Sequence, residues 1–179
     1  MFQWLRDNCS VQRKLKSFLA AAACLFIALP GKIEKRTIGD IVKIPLGDGT
    51  HAYARVLPDA SLAFHDSRGT EELAVEDVVR KPILFFAAVM DHAIKKGRWP
   101  IAGHVTLNDN LQAPPRFIQN AFDKSRFEIY ENGRIRPATR HECVGLERMA
   151  VWEPEHVEDR LRDHYAGRTD KWSESLKMR

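Results

Sequence analysis

A chain of 179 residues with a formal charge of +4 is long enough for one ordinary domain with a real core and too short for two full ones. The charge is unevenly spread: residues 1–36 hold seven Lys/Arg against Asp7 and Glu34, leaving 21 basic and 22 acidic side chains for residues 37–179. A domain so balanced lacks the clustered Lys/Arg that a phosphate backbone demands, so nucleic acid is not expected as its main partner.

Residues 1–36 read as an N-terminal extension and residues 37–179 as the domain proper. Arg13, Lys14 and Lys16 precede an apolar run from Phe18 to Leu29, which matches the first two regions of a signal peptide. The third region fits poorly, because Pro30 would stand just before a cut ahead of Gly31. Ala21-Ala22-Ala23-Cys24 is like a lipoprotein acceptor site, yet apolar residues continue through Leu25, Phe26 and Ile27. A membrane span needs about 20 apolar residues, so no full transmembrane segment is expected. Three readings stay open: an export or anchoring segment, an extended gene start, or an amphipathic helix lying on the domain. The expected location is the cytoplasm, with export or membrane anchoring as the alternative if residues 1–30 serve as a signal or anchor.

Gly31 to Thr37 reads as a linker, after which Ile41 to Leu46 alternates as a strand. Asp48-Gly49 supplies hairpin chemistry and His51 to Leu57 returns. Ser61 to His65 predicts a third strand and Asp66-Ser67-Arg68-Gly69 a turn, which makes residues 38–66 an antiparallel meander. Pro82 to Met90 is apolar throughout, the pattern of a central strand covered on both faces. Asp91 to Lys96 predicts a helical turn closed by Gly97, and Trp99-Pro100 to Val105 another strand. Ala113-Pro114-Pro115 breaks the chain before Arg116 to Gln119, a short edge strand. Phe127 to Glu131 alternates ahead of Asn132-Gly133, where a two-residue turn requires positive φ. From Trp152 to Tyr165 the spacing turns helical, with Val157, Leu161, His164 and Tyr165 on one stripe and Glu155, Glu158, Asp159 and Asp163 elsewhere. Pro154 suits its first turn, Gly167 its end, and Lys171 to Leu176 forms a short amphipathic tail. These elements predict an α+β fold that is mostly β: an antiparallel, strongly bent sheet or small barrel with a C-terminal helix packed on it.

No catalytic set stands out. Cys9, Cys24 and Cys143 are too far apart for a zinc or redox motif and read as free thiols. His141-Glu142-Cys143 places three ligand types in a row, but adjacent side chains diverge and no His-Glu-x-x-His spacing occurs. An enzyme would need at least two of His92, His104 and Cys143 to gather in one pocket, Asp91-His92 pairing with His104 or Cys143. The domain reads instead as one that binds something, without cofactor or metal. Arg98 and Trp99 belong to residue types favoured at binding hot spots, although Trp99 beside Pro100 reads first as core.

The order of Ile38-Gly39-Asp40, Ile44-Pro45-Leu46, Asp48-Gly49, Ala52-Tyr53, Pro82-Ile83-Leu84-Phe85-Phe86, Gly97-Arg98-Trp99-Pro100, Pro114-Pro115-Arg116-Phe117 and Ile135-Arg136-Pro137-Ala138-Thr139 resembles the immunity protein 26 family. The resemblance covers roughly residues 37–176. It implies a mostly β antidote that binds and neutralises the C-terminal domain of a cognate bacterial toxin from a polymorphic toxin system, with no catalysis of its own. Many such toxins are basic nucleases, and an acidic surface speeds encounter with a basic partner. Trp152, Glu155, Glu158, Asp159 and Asp163, with Arg98 and Trp99, are the expected partner-binding residues. The alternative is a small β-barrel module that binds nucleic acid or another ligand.

Overall fold

A computed structural model describes residues 35–107 and 111–178, so the expectations for residues 1–34 lie outside the described residues. Along the chain run β1 (Asp40–Pro45), β2 (His51–Val56), β3 (Ser61–Gly69), α1 (Val75–Val78), β4 (Ile83–Val89), α2 (His92–Lys95), β5 (Ile101–His104), β6 (Arg116–Gln119), β7 (Phe127–Glu131), β8 (Arg134–Ala138), β9 (Glu147–Arg148), β10 (Val151–Trp152), α3 (Pro154–Tyr165) and α4 (Lys171–Ser175). They form a six-stranded sheet ordered β10-β4-β3-β2-β1-β5 and a four-stranded sheet ordered β8-β7-β6-β9. The fold is mostly β, as the alternation predicts, and both sheets are open: neither closes into a barrel.

The first sheet is built on β2, all six of whose residues are buried. Ala52, Ala54 and Val56 face the main core with Val42, Ile44, Phe64, Phe85 and Trp99. Tyr53 faces a second cluster with Ile41 and Val78, closed by Leu73, Val75 and Val79 around α1. Burying an aromatic the size of Phe64 contributes about 1.5–3 kcal/mol, so this two-sided core supplies much of the stability. The centre of the sheet therefore lies at β2 and β3, whereas the apolar run of β4 sits one place from the edge. Its outer neighbour β10 pairs only with Ala88 and Val89.

Asp66 to Gly69 is not a turn: β3 continues through it, with a register shift opposite His51 to Tyr53. The Ser67 hydroxyl oxygen accepts the Tyr53 N–H at 2.9 Å and its proton goes to the His65 carbonyl at 3.1 Å, so a side chain completes the ladder where the bulge breaks it. The two predicted hairpins form as expected. At the second, Asn132 and Gly133 take φ of 51° and 77°, the pair a type I′ turn requires.

The second sheet rests on a smaller cluster of Phe117, Phe127, Ile129 and Cys143. Here β6 is not an edge strand, because β7 pairs antiparallel on one side and β9 parallel on the other. Only Met149 and Ala150 separate β9 from β10, which belong to different sheets, so residues 147–152 stitch the two sheets together.

The long helix begins at Pro154, and Trp152 is a strand residue instead. Its buried stripe is Pro154, Val157, Glu158 and Leu161, while His164 is exposed. The apolar spacing of Val157 and Leu161 is right; what spacing cannot show is that a glutamate takes the neighbouring interior position.

Candidate functional site

The fate of Glu158 organises the C-terminal face. After α2, Gly97 adopts a φ of 71° and the Trp99 N–H bonds back to the Ala93 carbonyl at 2.8 Å, which turns the chain sharply inward. Trp99 is fully buried, edge-on to Phe64 at 6.2 Å between centroids. Its indole Nε1 donates to Glu158 Oε1 at 2.9 Å. Arg98 Nε donates to the same oxygen at 2.7 Å and Nη2 to Oε2 at 2.8 Å, a fork-to-fork pair, while Nη1 bonds the Glu155 carboxylate. The hydrogen bond to Glu158 raises the Arg98 pKa. Three donors thus saturate a carboxylate that burial alone would make costly.

Arg98, Trp99, Glu155 and Glu158 are therefore brought together, and Asp159 and Asp163 follow along the helix. Asp159 is held down to about 2, chiefly by its Arg162 hydrogen bond at 2.7 Å, with Trp172 Nε1 at 3.1 Å and Lys171 at 3.3 Å assisting. Asp163 pairs with Arg168 at 2.7 Å. Trp152 lies apart, buried beneath the Arg160 guanidinium, which also stacks on Phe85 at 3.9 Å and binds Glu147 at 2.5 Å. The acidic helix is thus largely neutralised by cations that spacing along the helix cannot reveal, Arg98, Arg168 and Lys171 among them. Among the seven expected partner-binding residues, Glu155, 54 % exposed, and Arg98, 39 % exposed, are the most accessible.

The residues weighed for catalysis stay apart. His92 faces Glu153 at 3.4 Å, His104 Nδ1 lies 3.0 Å from Asp40, and Cys143 is buried beneath the second sheet. Among the described residues no group of three or more His, Cys, Asp or Glu is placed to hold a metal ion, and no helix is long and apolar enough to cross a membrane. The Gly39-Asp40 pair has a packing reason: a Cβ on Gly39 would stand 2.6 Å from the Val105 carbonyl oxygen and 2.9 Å from His104 Cε1. Only glycine lets β1 approach β5 there while Asp40 Oδ1 meets His104.

A feature that sequence reasoning missed stands on the loop between β6 and β7. Phe122 is fully exposed. Asn120 Oδ1 accepts from the Phe122 and Asp123 N–H groups at 2.8 and 2.9 Å, and Asp123 Oδ1 accepts from Ser125 N and Oγ at 3.0 and 2.6 Å. Two successive Asx-type turns fix a loop that presents an aromatic ring to solvent. The signal available was an isolated Phe between Asn120 and Asp123.

The sequence profile described as immunity protein 26 matches residues 37–128, more than half of the chain. The chain belongs to the immunity protein 26 family. No curated protein and no solved structure matches it. The immunity protein 26 match spans β1 to the start of β7, with the Gly39-Asp40 contact and the Gly97-Arg98-Trp99-Pro100 turn inside it. Glu158, which receives Arg98 and Trp99, lies beyond its end.

Proposed function

We propose that this protein neutralises a cognate toxin by direct contact with the toxin's C-terminal domain, residues 37–179 being the working unit, residues 1–36 an extension, and the cytoplasm the site of action. Membership of the immunity protein 26 family carries this reading. An antidote needs a complementary surface and a stable scaffold. The Phe122 loop supplies a preorganised aromatic anchor, which loses little freedom on docking. Arg98, Glu155, Asp159 and Asp163 form a mixed-charge rim on α3 and its neighbour, while Trp99 and Glu158 support that rim from the interior and Trp152 serves the core under Arg160. A basic nuclease domain is the toxin class that Glu155, the most exposed of these carboxylates, would help to steer.

The test is co-expression of the full chain with the toxin domain encoded beside it, scoring cell survival and co-purification. Survival with a stable complex is expected. Death of the cells despite soluble antidote, or survival without a complex, would overturn contact as the mechanism.

A further inference from the structure

Buried charges are nearly always paired, and among the described residues Arg116 makes no ion pair. It opens β6 with only 4 % exposure. Nη2 donates to Ser61 Oγ at 3.1 Å and Nη1 reaches only the Met149 thioether at 3.9 Å. The nearby carboxylates are not paired with it: Glu147 is held by Arg160, and Asp59 lies towards the Tyr130 hydroxyl, whose pKa it helps to raise after burial. Burial is the largest influence on the guanidinium and pushes its pKa down, the direction expected of a cation without a close counter-ion.

Arg116 and Ser61 line a cavity of about 270 Å³ where the two sheets meet, with Tyr130, Asp59, Glu131 and Asn132 around it. The turn at its mouth is strained. Asp59 and Ala60 take φ of 57° and 58°, a conformation that a two-residue turn normally assigns to Asn-Gly. Leu57 N bonds the Ser61 carbonyl at 2.9 Å across this turn, so the strained residues fix the position of Ser61. Its hydroxyl oxygen already accepts from Arg116, which leaves the hydroxyl proton available.

We propose that this cavity is a binding site for a monocarboxylate, received by the guanidinium of Arg116 and the hydroxyl of Ser61. A planar carboxylate matches the two-pronged guanidinium and supplies the missing counter-charge. Asp59 and Glu131 set two acids beside the cavity, which penalises a phosphate dianion more than a monoanion. The carboxylate arrives either on a free small acid or on an Asp or Glu side chain of a protein partner. The site does not depend on the toxin reading, and its test uses no toxin.

The experiment follows the Ser61, Arg116 and Tyr130 backbone resonances of the isotopically labelled full chain during titration. The probes are sodium acetate, the tripeptide Gly-Glu-Gly blocked at both termini, sodium phosphate and, at matched ionic strength, sodium chloride. Acetate is expected to give saturable shifts at all three positions, with phosphate about fivefold weaker or more. Shifts from the tripeptide as well would show that a polypeptide carboxylate enters; shifts from acetate alone would mark a small-acid site. Arg116→Gln should weaken acetate at least about tenfold. Asp59→Asn, at an exposed position where Asn tolerates positive φ, should strengthen acetate binding and so keeps the test open if the buried variant folds poorly. Acetate shifts no larger than those of chloride, undiminished shifts in Arg116→Gln, or tighter binding of phosphate would overturn the proposal.

Discussion

β2 of the six-stranded sheet buries all six of its residues, whereas β8 of the four-stranded sheet exposes four of its five. The first sheet has a core on each face; the second has a single small cluster and carries the exposed Phe122 on one of its loops. The strand β8 is nonetheless a well-protected edge, since Arg134, Arg136 and Pro137 discourage pairing with another chain. The difference teaches that the two-sided core and the exposed aromatic loop belong to separate sheets, so damage to one should be separable from damage to the other.

The contrast is tested most severely by Trp99→Ala, which empties the middle of the first core and should cost about 3–5 kcal/mol in urea unfolding. Phe127→Ala, in the smaller cluster, should fall at or below the lower end of that range; equal losses would erase the distinction. Next in size is Glu158→Ala. It strands the Trp99 N–H and leaves Arg98 to solvent, and a loss of about 2 kcal/mol is expected because Arg98 is partly exposed and its pairing screened.

A smaller effect should follow pH. Burial lowers the pKa of His65 and of His51, so both are favoured neutral in the folded state. Their contribution is complete above the ordinary value of 6.5 and is lost as pH falls below it, because the unfolded chain then binds protons that the native state resists. The urea midpoint should therefore drop between about pH 7 and 5, and His65→Gln should flatten that drop. Both histidines lie on the first sheet, and an undiminished slope in this variant would move the sensitivity elsewhere. Smallest for stability is Phe122→Ala, expected within about 0.5 kcal/mol of the parent yet markedly weaker in co-purification with the toxin domain.

The strands and hairpins that turn on local chemistry were legible in the sequence. Asn132-Gly133 announces its turn because few other residues accept those φ values, and Gly49 does so after Asp48 with a φ of 83°. Asp66 to Gly69 misled because its composition is that of a turn, while what keeps it in β3 is a Ser67 hydroxyl reaching a strand 14 residues earlier. β9 and β10 were invisible, since two-residue pairings carry no periodicity. At the candidate site, the interest of Gly97-Arg98-Trp99-Pro100 could be read, but not the role of Glu158, which depends on partners 59 and 60 residues away. Helical spacing placed Glu158 off the apolar stripe because it cannot register a donor arriving from another element.

The two-residue gap between β9 and β10 gives the molecule its joint. Val151 and Trp152 cover one end of the exposed flank of β4, an apolar strand whose free carbonyls and N–H groups would otherwise invite other chains. A protease cut or an inserted linker between Met149 and Ala150 would therefore do more than loosen a loop. It would uncouple the four-stranded sheet from β10 and leave β4 as a seed for self-association, so exchanging the region after residue 150 between relatives would have to carry a matching edge strand with it.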